Sequence, residues 1–190
     1  MAASAVPRFT HDEFLEREQQ SPFRHEYIRG HIEMMAGGSE RHALLCAAIV
    51  RILDTALLDR DCRVYGDAFL LRMAAADISS YPDAMVVCGQ PNFVERRKLV
   101  LDNPIVVVEV LSPSTEDYDL REKLPAYQQV TSLKEILFLS QDKAAVQYWY
   151  RQDGGWKSVI VEGMEAVIPL RHLAIDIRLA DLYRRIDWTS

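Results

Sequence analysis

The chain has 190 residues, of which 49% are hydrophobic and 26% charged, and its formal net charge is −6. That size and balance predict one globular domain (residues 1–190) able to bury a core unaided, and the apolar runs, such as residues 43–50, are too short to span a bilayer. The acidic charge argues against a broad basic surface that coats nucleic acid and leaves room only for a local basic groove.

The amino terminus, Met1-Ala-Ala-Ser-Ala-Val-Pro7, lacks the basic start and long apolar centre of a secretory signal. The cytoplasm is therefore the expected compartment. Cys46, Cys62 and Cys88 are odd in number and widely spaced, and they read as buried free thiols rather than a disulfide framework or a zinc pattern.

Residues 9–19 read as a short helix with Thr10 as N-cap and Glu13 completing a capping box. Two short strands, 25–28 and 32–35, flank Arg29-Gly30-His31 as a hairpin, and Gly37-Gly38-Ser39 leads into a helix over 40–58. On that helix Leu45, Ala48, Ile49, Ile52, Leu53, Ala56 and Leu57 form one apolar face, which should pack on a sheet. Strands follow at 62–65, 68–73, 83–88 and 104–111, with a loose loop at 74–80. The last two are nearly continuous in apolar residues, as central strands covered on both faces tend to be. A second helix, 120–129, is expected to start at Asp119 with Glu122 as its capping partner, and Pro125 should bend or delay it. Strands at 135–140, 145–151 and 156–161, the last two joined by Asp153-Gly154-Gly155, precede a short helix near 179–185.

Two acids stand out against these apolar runs. Glu109 interrupts Ile105-Val106-Val107-Val108-Glu109-Val110-Leu111, and Asp83 opens Asp83-Ala84-Met85-Val86-Val87. Burying one unpaired carboxylate costs several kcal/mol, a sum comparable to a domain's whole stability margin. Two on adjacent strands become favourable around a shared hard cation such as Mg²⁺ or Mn²⁺. Other readings stay open at this point. Asp83 after Pro82 is ordinary turn chemistry, Glu109 could pair with Arg63, Arg72 or Lys123, and Lys123 could pair with Asp119 on its own helix.

An ordered set of segments carries a resemblance: Arg24-His25-Glu26-Tyr27-Ile28-Arg29-Gly30, Met35-Ala36-Gly37 with His42 after it, Cys62-Arg63-Val64-Tyr65-Gly66, Tyr81-Pro82-Asp83, Glu109-Val110-Leu111-Ser112-Pro113-Ser114-Thr115, residues 119–127 with Lys123, and Ser140-Gln141-Asp142. Together they resemble the Uma2 family, a branch of the PD-(D/E)XK nuclease superfamily. The resemblance implies an α/β fold of restriction-endonuclease-like type, a mixed β-sheet core flanked by helices, here with an N-terminal helix and hairpin. It also implies a Mg²⁺-dependent (or Mn²⁺-dependent) nuclease that hydrolyses phosphodiester bonds, with DNA as the expected nucleic-acid substrate. Asp83 and Glu109 would be metal ligands and Lys123 the catalytic cation. The superfamily's usual lysine, two residues after the second acid, is replaced here by Leu111, and the resemblance puts that function on Lys123 in the following helix. Glu26 and His42 are the accessory candidates; Glu33, on the same hairpin as Glu26, could also face the site but is not carried among them.

Fold does not fix activity, so two rivals stand beside this reading: a non-catalytic DNA-binding or protein-interaction module, and a phosphodiesterase for a small nucleotide. A homodimer is expected by analogy, because cutting both strands of a symmetric duplex suits a two-fold assembly. Ser112 and Ser114 lack a glycine-flanked elbow, and Arg96-Arg97-Lys98 and Arg184-Arg185 read as solvated surface. Tyr148, Trp149, Tyr150 and Trp156 alternate in adjacent strands and read as packing rather than a stacking platform.

Overall fold

A computed structural model describes residues 7–35, 37–94 and 99–189. The basic run Arg96-Arg97-Lys98, Ala36 and residues 1–6 lie outside the described residues.

Helix α1 (His11–Glu18) carries the capping box read from its sequence: Thr10 accepts from the Glu13 amide, and the Glu13 carboxylate accepts from the Thr10 amide at 2.7 Å. Strands β1 (His25–Ile28) and β2 (His31–Met34) form the hairpin, with Ile28 opposite His31. Arg29 and Gly30 both have positive φ, 48° and 91°, which is the turn whose twist matches a two-residue hairpin. Helix α2 (Glu40–Ala56) is capped by Ser39, whose hydroxyl accepts from the His42 amide at 3.1 Å.

Strands β3 (Cys62–Gly66), β6 (Ala84–Cys88), β8 (Val106–Leu111), β9 (Glu135–Ser140), β10 (Ala145–Gln152) and β11 (Gly155–Glu162) form a six-stranded sheet in the order β11-β10-β9-β8-β6-β3, numbered with β4 (Leu70–Met73), β5 (Ile78–Ser80) and β7 (Val100–Leu101) also in chain order. Only β8 and β9 pair in parallel, so the sheet is mixed. Its two faces carry separate cores. Val86, Val106, Val108, Leu137 and Tyr148 pack with Leu45, Ile49 and Leu53 of α2, whereas Met85, Val87, Val107, Ile136 and Phe138 pack with Leu124 and Tyr127. The double burial explains the near-continuous apolar runs. The four aromatics divide the same way, Tyr148 and Tyr150 with the first core and Trp149 and Trp156 with the second.

Several sequence expectations need correction. The strand expected at 68–73 shortens to β4 and leaves the main sheet for a second one, ordered β2-β1-β5-β4-β7. The loop expected at 74–80 holds a 3₁₀ turn, Ala74–Ala76, followed by the fully buried β5; Ser79 and Ser80 hid it because their polarity breaks the strand pattern. Strands β12 (Val167–Leu170) and β13 (Ile175–Arg178), a hairpin before α5 (Leu179–Leu182), had no expectation at all. Cys62 and Cys88 are not free thiols but a disulfide, facing each other directly in the β3–β6 register. A count of cysteines cannot foresee that two strands 26 residues apart in sequence will align them.

The second helix also starts earlier than expected. Helix α3 (Glu116–Tyr118) runs into a π-helical segment, Asp119–Lys123, and then α4 (Leu124–Gln129). Asp119 is not a cap, and Glu122 pairs with Arg29 at 2.9 Å instead of closing a capping box. Pro125 supplies the physical reason for the irregularity. It lacks an amide hydrogen and its ring crowds the carbonyl four residues back, and the widened π turn sits just ahead of it. Among the described residues no helix is long and apolar enough to cross a membrane.

Candidate active site

Strands β6 and β8 are antiparallel neighbours with Ala84 opposite Val108, so the register continued by one residue sets Asp83 opposite Glu109. Side-chain alternation turns Glu109 to the face of Val107, toward α4. There the Lys123 ammonium lies 3.3 Å from Glu109 Oε1, 2.9 Å from Glu26 Oε1 and 3.2 Å from Asp119 Oδ1. The Tyr127 hydroxyl also donates to Glu109 Oε1, and Ser80 Oγ is 3.3 Å from that hydroxyl. The Lys123 ammonium stands over the Tyr118 ring at 5.5 Å. Of the three cations considered for Glu109, only Lys123 reaches it; Arg63 bonds the Gly89 carbonyl and Arg72 pairs with Asp77.

Asp83 is held differently. Its Oδ2 accepts from the Val110 amide at 2.7 Å, while Oδ1 lies 3.1 Å from His42 Nε2 on α2. The Cys46 sulfur, one helical turn beyond His42, lies within 4.8 Å of an Asp83 carboxylate oxygen. His42 is fixed by its surroundings: a Cβ placed on Gly38 would come within 2.6 Å of its ring, and Ser39, which caps the helix, bonds Gln141 Oε1 at 2.5 Å while Gln141 Nε2 donates to the Leu111 carbonyl at 2.8 Å. An open hollow of about 370 Å³ lies alongside, bordered by Ser39, Arg41, Pro113 and Gln141. Glu33 faces solvent, Ser112 hydrogen-bonds Ser114 and Thr115, and Arg184 pairs with Asp181; none of these joins the cluster.

The buried charge does not balance. Glu26, Asp83, Glu109 and Asp119 are all no more than 9% exposed, and against these four carboxyl groups stand one buried ammonium, Lys123, and the half-buried His42. Burial therefore pushes the Glu109 carboxyl up to about 8, against the attraction of Lys123 and with Asp83 and Asp119 adding to the rise. Burial works against the Lys123 charge as well, but Glu109, Glu26 and Asp119 outweigh it and hold the ammonium protonated. The hydrogen bond to Asp83 raises His42 despite its burial, and burial keeps the Cys46 thiol protonated in the metal-free protein. Excess buried negative charge favours a divalent cation beside Asp83 and Glu109; among the described residues the three ligand atoms that lie within 4.8 Å of one another are those of His42, Cys46 and Asp83.

Sequence reasoning named Asp119 only as a helical partner of Lys123, a pairing the structure shows, and missed Cys46 and Tyr127 as members of this cluster. The signal was present as spacing: His42 and Cys46 are four residues apart, as are Asp119, Lys123 and Tyr127 in succession.

The profile of Uma2, described as "Putative restriction endonuclease", matches residues 11–180. The chain belongs to the Uma2 family. Two proteins of Synechocystis sp. (strain ATCC 27184 / PCC 6803 / Kazusa) are similar over nearly their whole length: uncharacterized protein sll1609, 28% identical over 92% of this chain and 99% of its own, and uncharacterized protein slr1290, 25% identical over 96% and 95%. A crystal structure described as a putative nuclease belonging to DUF820 from Anabaena variabilis ATCC 29413 has the same fold, with a TM-score of 0.73 and 19% identity over 93% of this chain and 98% of that one. The Uma2 resemblance and the restriction-endonuclease-like α/β class read from the sequence are both borne out.

Proposed function

We propose that this Uma2 protein is a Mg²⁺-dependent nuclease, with Mn²⁺ able to substitute, that hydrolyses phosphodiester bonds in DNA. The observation that carries the reading is the charge imbalance: Glu26, Glu109 and Asp119 are buried around one lysine, and Asp83, also buried, stands opposite Glu109 where the β6–β8 register continues. Asp83 and Glu109 would hold the ion. Its chemistry there is polarisation of a phosphate oxygen and acidification of a water.

The chain's own residues supply the rest. The Val110 amide orients the Asp83 carboxylate, and Tyr127 and Lys123 orient that of Glu109. Lys123, held charged by Glu26 and Asp119, offsets negative charge that develops on the phosphate. His42 steadies Asp83 from the opposite side. The proposal keeps a single working domain, a homodimer to address both strands, and the cytoplasm as its compartment, where Cys62 and Cys88 would face a reducing thiol pool.

The test is cleavage of plasmid and single-stranded DNA with Mg²⁺ or Mn²⁺ by the wild type, Glu109→Gln and Lys123→Ala, with calorimetric titration of the metal and light scattering for the dimer. Metal-dependent cutting lost in both variants, with metal heat lost in Glu109→Gln, is the expected result. Absence of both cutting and metal heat in the wild type refutes the nuclease reading and leaves a binding module; metal heat without cutting directs the search to small nucleotides.

A further inference from the structure

The hard-ion reading uses only one side of Asp83. On its other side the cluster changes chemical character: a His42 nitrogen, the Cys46 sulfur and an Asp83 oxygen all lie within 4.8 Å of one another. His42 and Cys46 are successive positions on one face of α2, four residues apart, and Asp83 enters from the strand end. Mg²⁺ has little use for a thiol, whereas a nitrogen, sulfur and oxygen set matches the preference of Zn²⁺ and its neighbours in the first transition series. We propose that His42, Cys46 and Asp83 form a three-ligand site for a borderline divalent ion, Zn²⁺ in the first place, and that its occupation removes Asp83 from the hard-ion centre.

The geometry asks for little movement. Metal–ligand distances of about 2.0–2.3 Å in a tetrahedron set donor atoms roughly 3.3–3.7 Å apart. His42 Nε2 and Asp83 Oδ1 already stand at 3.1 Å, so small rotations that bring the sulfur inward suffice. Three protein ligands leave a fourth position for water, the pattern of an open rather than a purely structural site. Two supports outside the trio hold it in place: the Val110 amide grips Asp83 Oδ2, and Gly38 has no Cβ to collide with the His42 ring. On binding, the Cys46 S–H bond gives way to a sulfur–metal bond and the thiol proton goes to solvent, as does any proton held between His42 and Asp83.

The binding half of this proposal stands on the trio alone; the inhibitory half rests on the nuclease reading above. One carboxylate cannot serve both centres in full, so Zn²⁺ at His42 and Cys46 should act as a competitive brake on Mg²⁺.

Cobalt(II) separates the two halves, because thiolate ligation gives it a near-ultraviolet charge-transfer band and four-coordination gives it visible bands. The wild type, with the Cys62–Cys88 disulfide intact, should bind one equivalent with both signatures, and Zn²⁺ should displace it. Cys46→Ser and Cys46→Ala should lose the charge-transfer band, His42→Gln should weaken binding at least tenfold, and Glu109→Gln should keep the band. Circular dichroism of each variant checks that it is folded, and the two cysteine variants guard against one of them misfolding. No thiolate band in the wild type, or a band that survives in both cysteine variants, overturns the site. If the protein cuts DNA, Cys46→Ser should also raise the Zn²⁺ concentration for half-inhibition tenfold or more, and an unchanged value overturns the brake. A cobalt band without any nuclease activity leaves the ion site standing while the nuclease reading falls, and activity without the band does the reverse.

Discussion

Replacing Glu109 by glutamine distinguishes a metal ligand from a structural ion pair without any assay of cleavage. In the metal-free protein the Glu109 carboxyl is pushed from its ordinary 4.5 to about 8, first by burial, with Lys123 opposing and Asp83 and Asp119 adding. Between those two values the folded state binds the proton and the unfolded state does not, so stability falls as pH rises from 4.5 to 8. At pH 7 the cost is (7 − 4.5) pH units at about 1.36 kcal/mol each, or about 3 kcal/mol. Glutamine never ionises and removes that cost, although its carbonyl oxygen attracts the Lys123 ammonium less than a carboxylate oxygen does, which takes some of the gain back. Metal-free Glu109→Gln should therefore melt no lower than the wild type at pH 7, with a gain of up to roughly 10 °C at about 2–4 °C per kcal/mol for a chain of this size. Mg²⁺ should raise the wild-type midpoint, by about 2.7 kcal/mol of stability at a hundred times its dissociation constant, and leave the variant unmoved. Calorimetry of Mg²⁺ binding in two buffers of different ionisation enthalpy should also register about one proton released at pH 7. A variant that loses 3 kcal/mol or more without metal, beside a wild type indifferent to Mg²⁺, would refute the metal reading and make Glu109 a structural partner of Lys123.

Lys123→Met leaves Glu26, Glu109 and Asp119 without their ammonium and should cost about 3–5 kcal/mol in metal-free urea unfolding, part of it recovered with Mg²⁺; a loss under about 1 kcal/mol would contradict the network. Reducing Cys62–Cys88, which closes a loop spanning 26 residues, should cost about 3 kcal/mol and lower the melting temperature by roughly 10 °C, and Cys62→Ser should reproduce the drop without reductant. Burial, followed by the Arg72 charge, lowers His11 from 6.5 to about 4, so the unfolded chain takes up the proton first and stability is lost as pH falls through that window. The ring is only partly buried, which reduces the effect to about 1–2 kcal/mol, and His11→Gln should flatten the slope of urea midpoint against pH between 4 and 6.5.

What could be read in advance followed from local patterns with strong physics behind them. The Thr10–Glu13 capping box, the Arg29-Gly30 turn, the apolar face of α2 and the doubly buried β6 and β8 each rest on residues a few positions apart. The misses involve partners distant in sequence. No local pattern reports that Cys62 will face Cys88, that β5 will pair with both β1 and β4, or that Glu122 will turn to Arg29, whereas the Asp119–Lys123 pair at helical spacing was open to a local reading. The acids at the centre were legible because a carboxylate in an apolar strand is expensive enough to demand a cause. Their neighbours Cys46 and Tyr127 were not, because a thiol and a phenol are ordinary core residues until something polar faces them.

The position of Lys123 on the helical segment rather than on β8 admits a direct test of that geometric reasoning. Leu111 lies two residues beyond Glu109 on the same face of β8, where it packs against the second core, so a side chain there starts about 6.7 Å along the strand from Glu109. A lysine stem spans that distance, and the site reached from Lys123 is already lined by Glu26, Glu109 and Asp119. If what matters is an ammonium among those carboxylates rather than the helix that delivers it, Leu111→Lys added to Lys123→Met should recover at least ~1–2 kcal/mol of the lost stability. The gain is limited because Leu111 gives up apolar contacts worth about 1 kcal/mol where it is only partly buried. Leu111→Lys alone should be destabilising, or neutral at most, since it adds a second cation beside Lys123. A double variant no better than Lys123→Met would mean that the approach from the π turn ahead of Pro125 is itself required, and that the strand and helix positions are not interchangeable sources of the same charge.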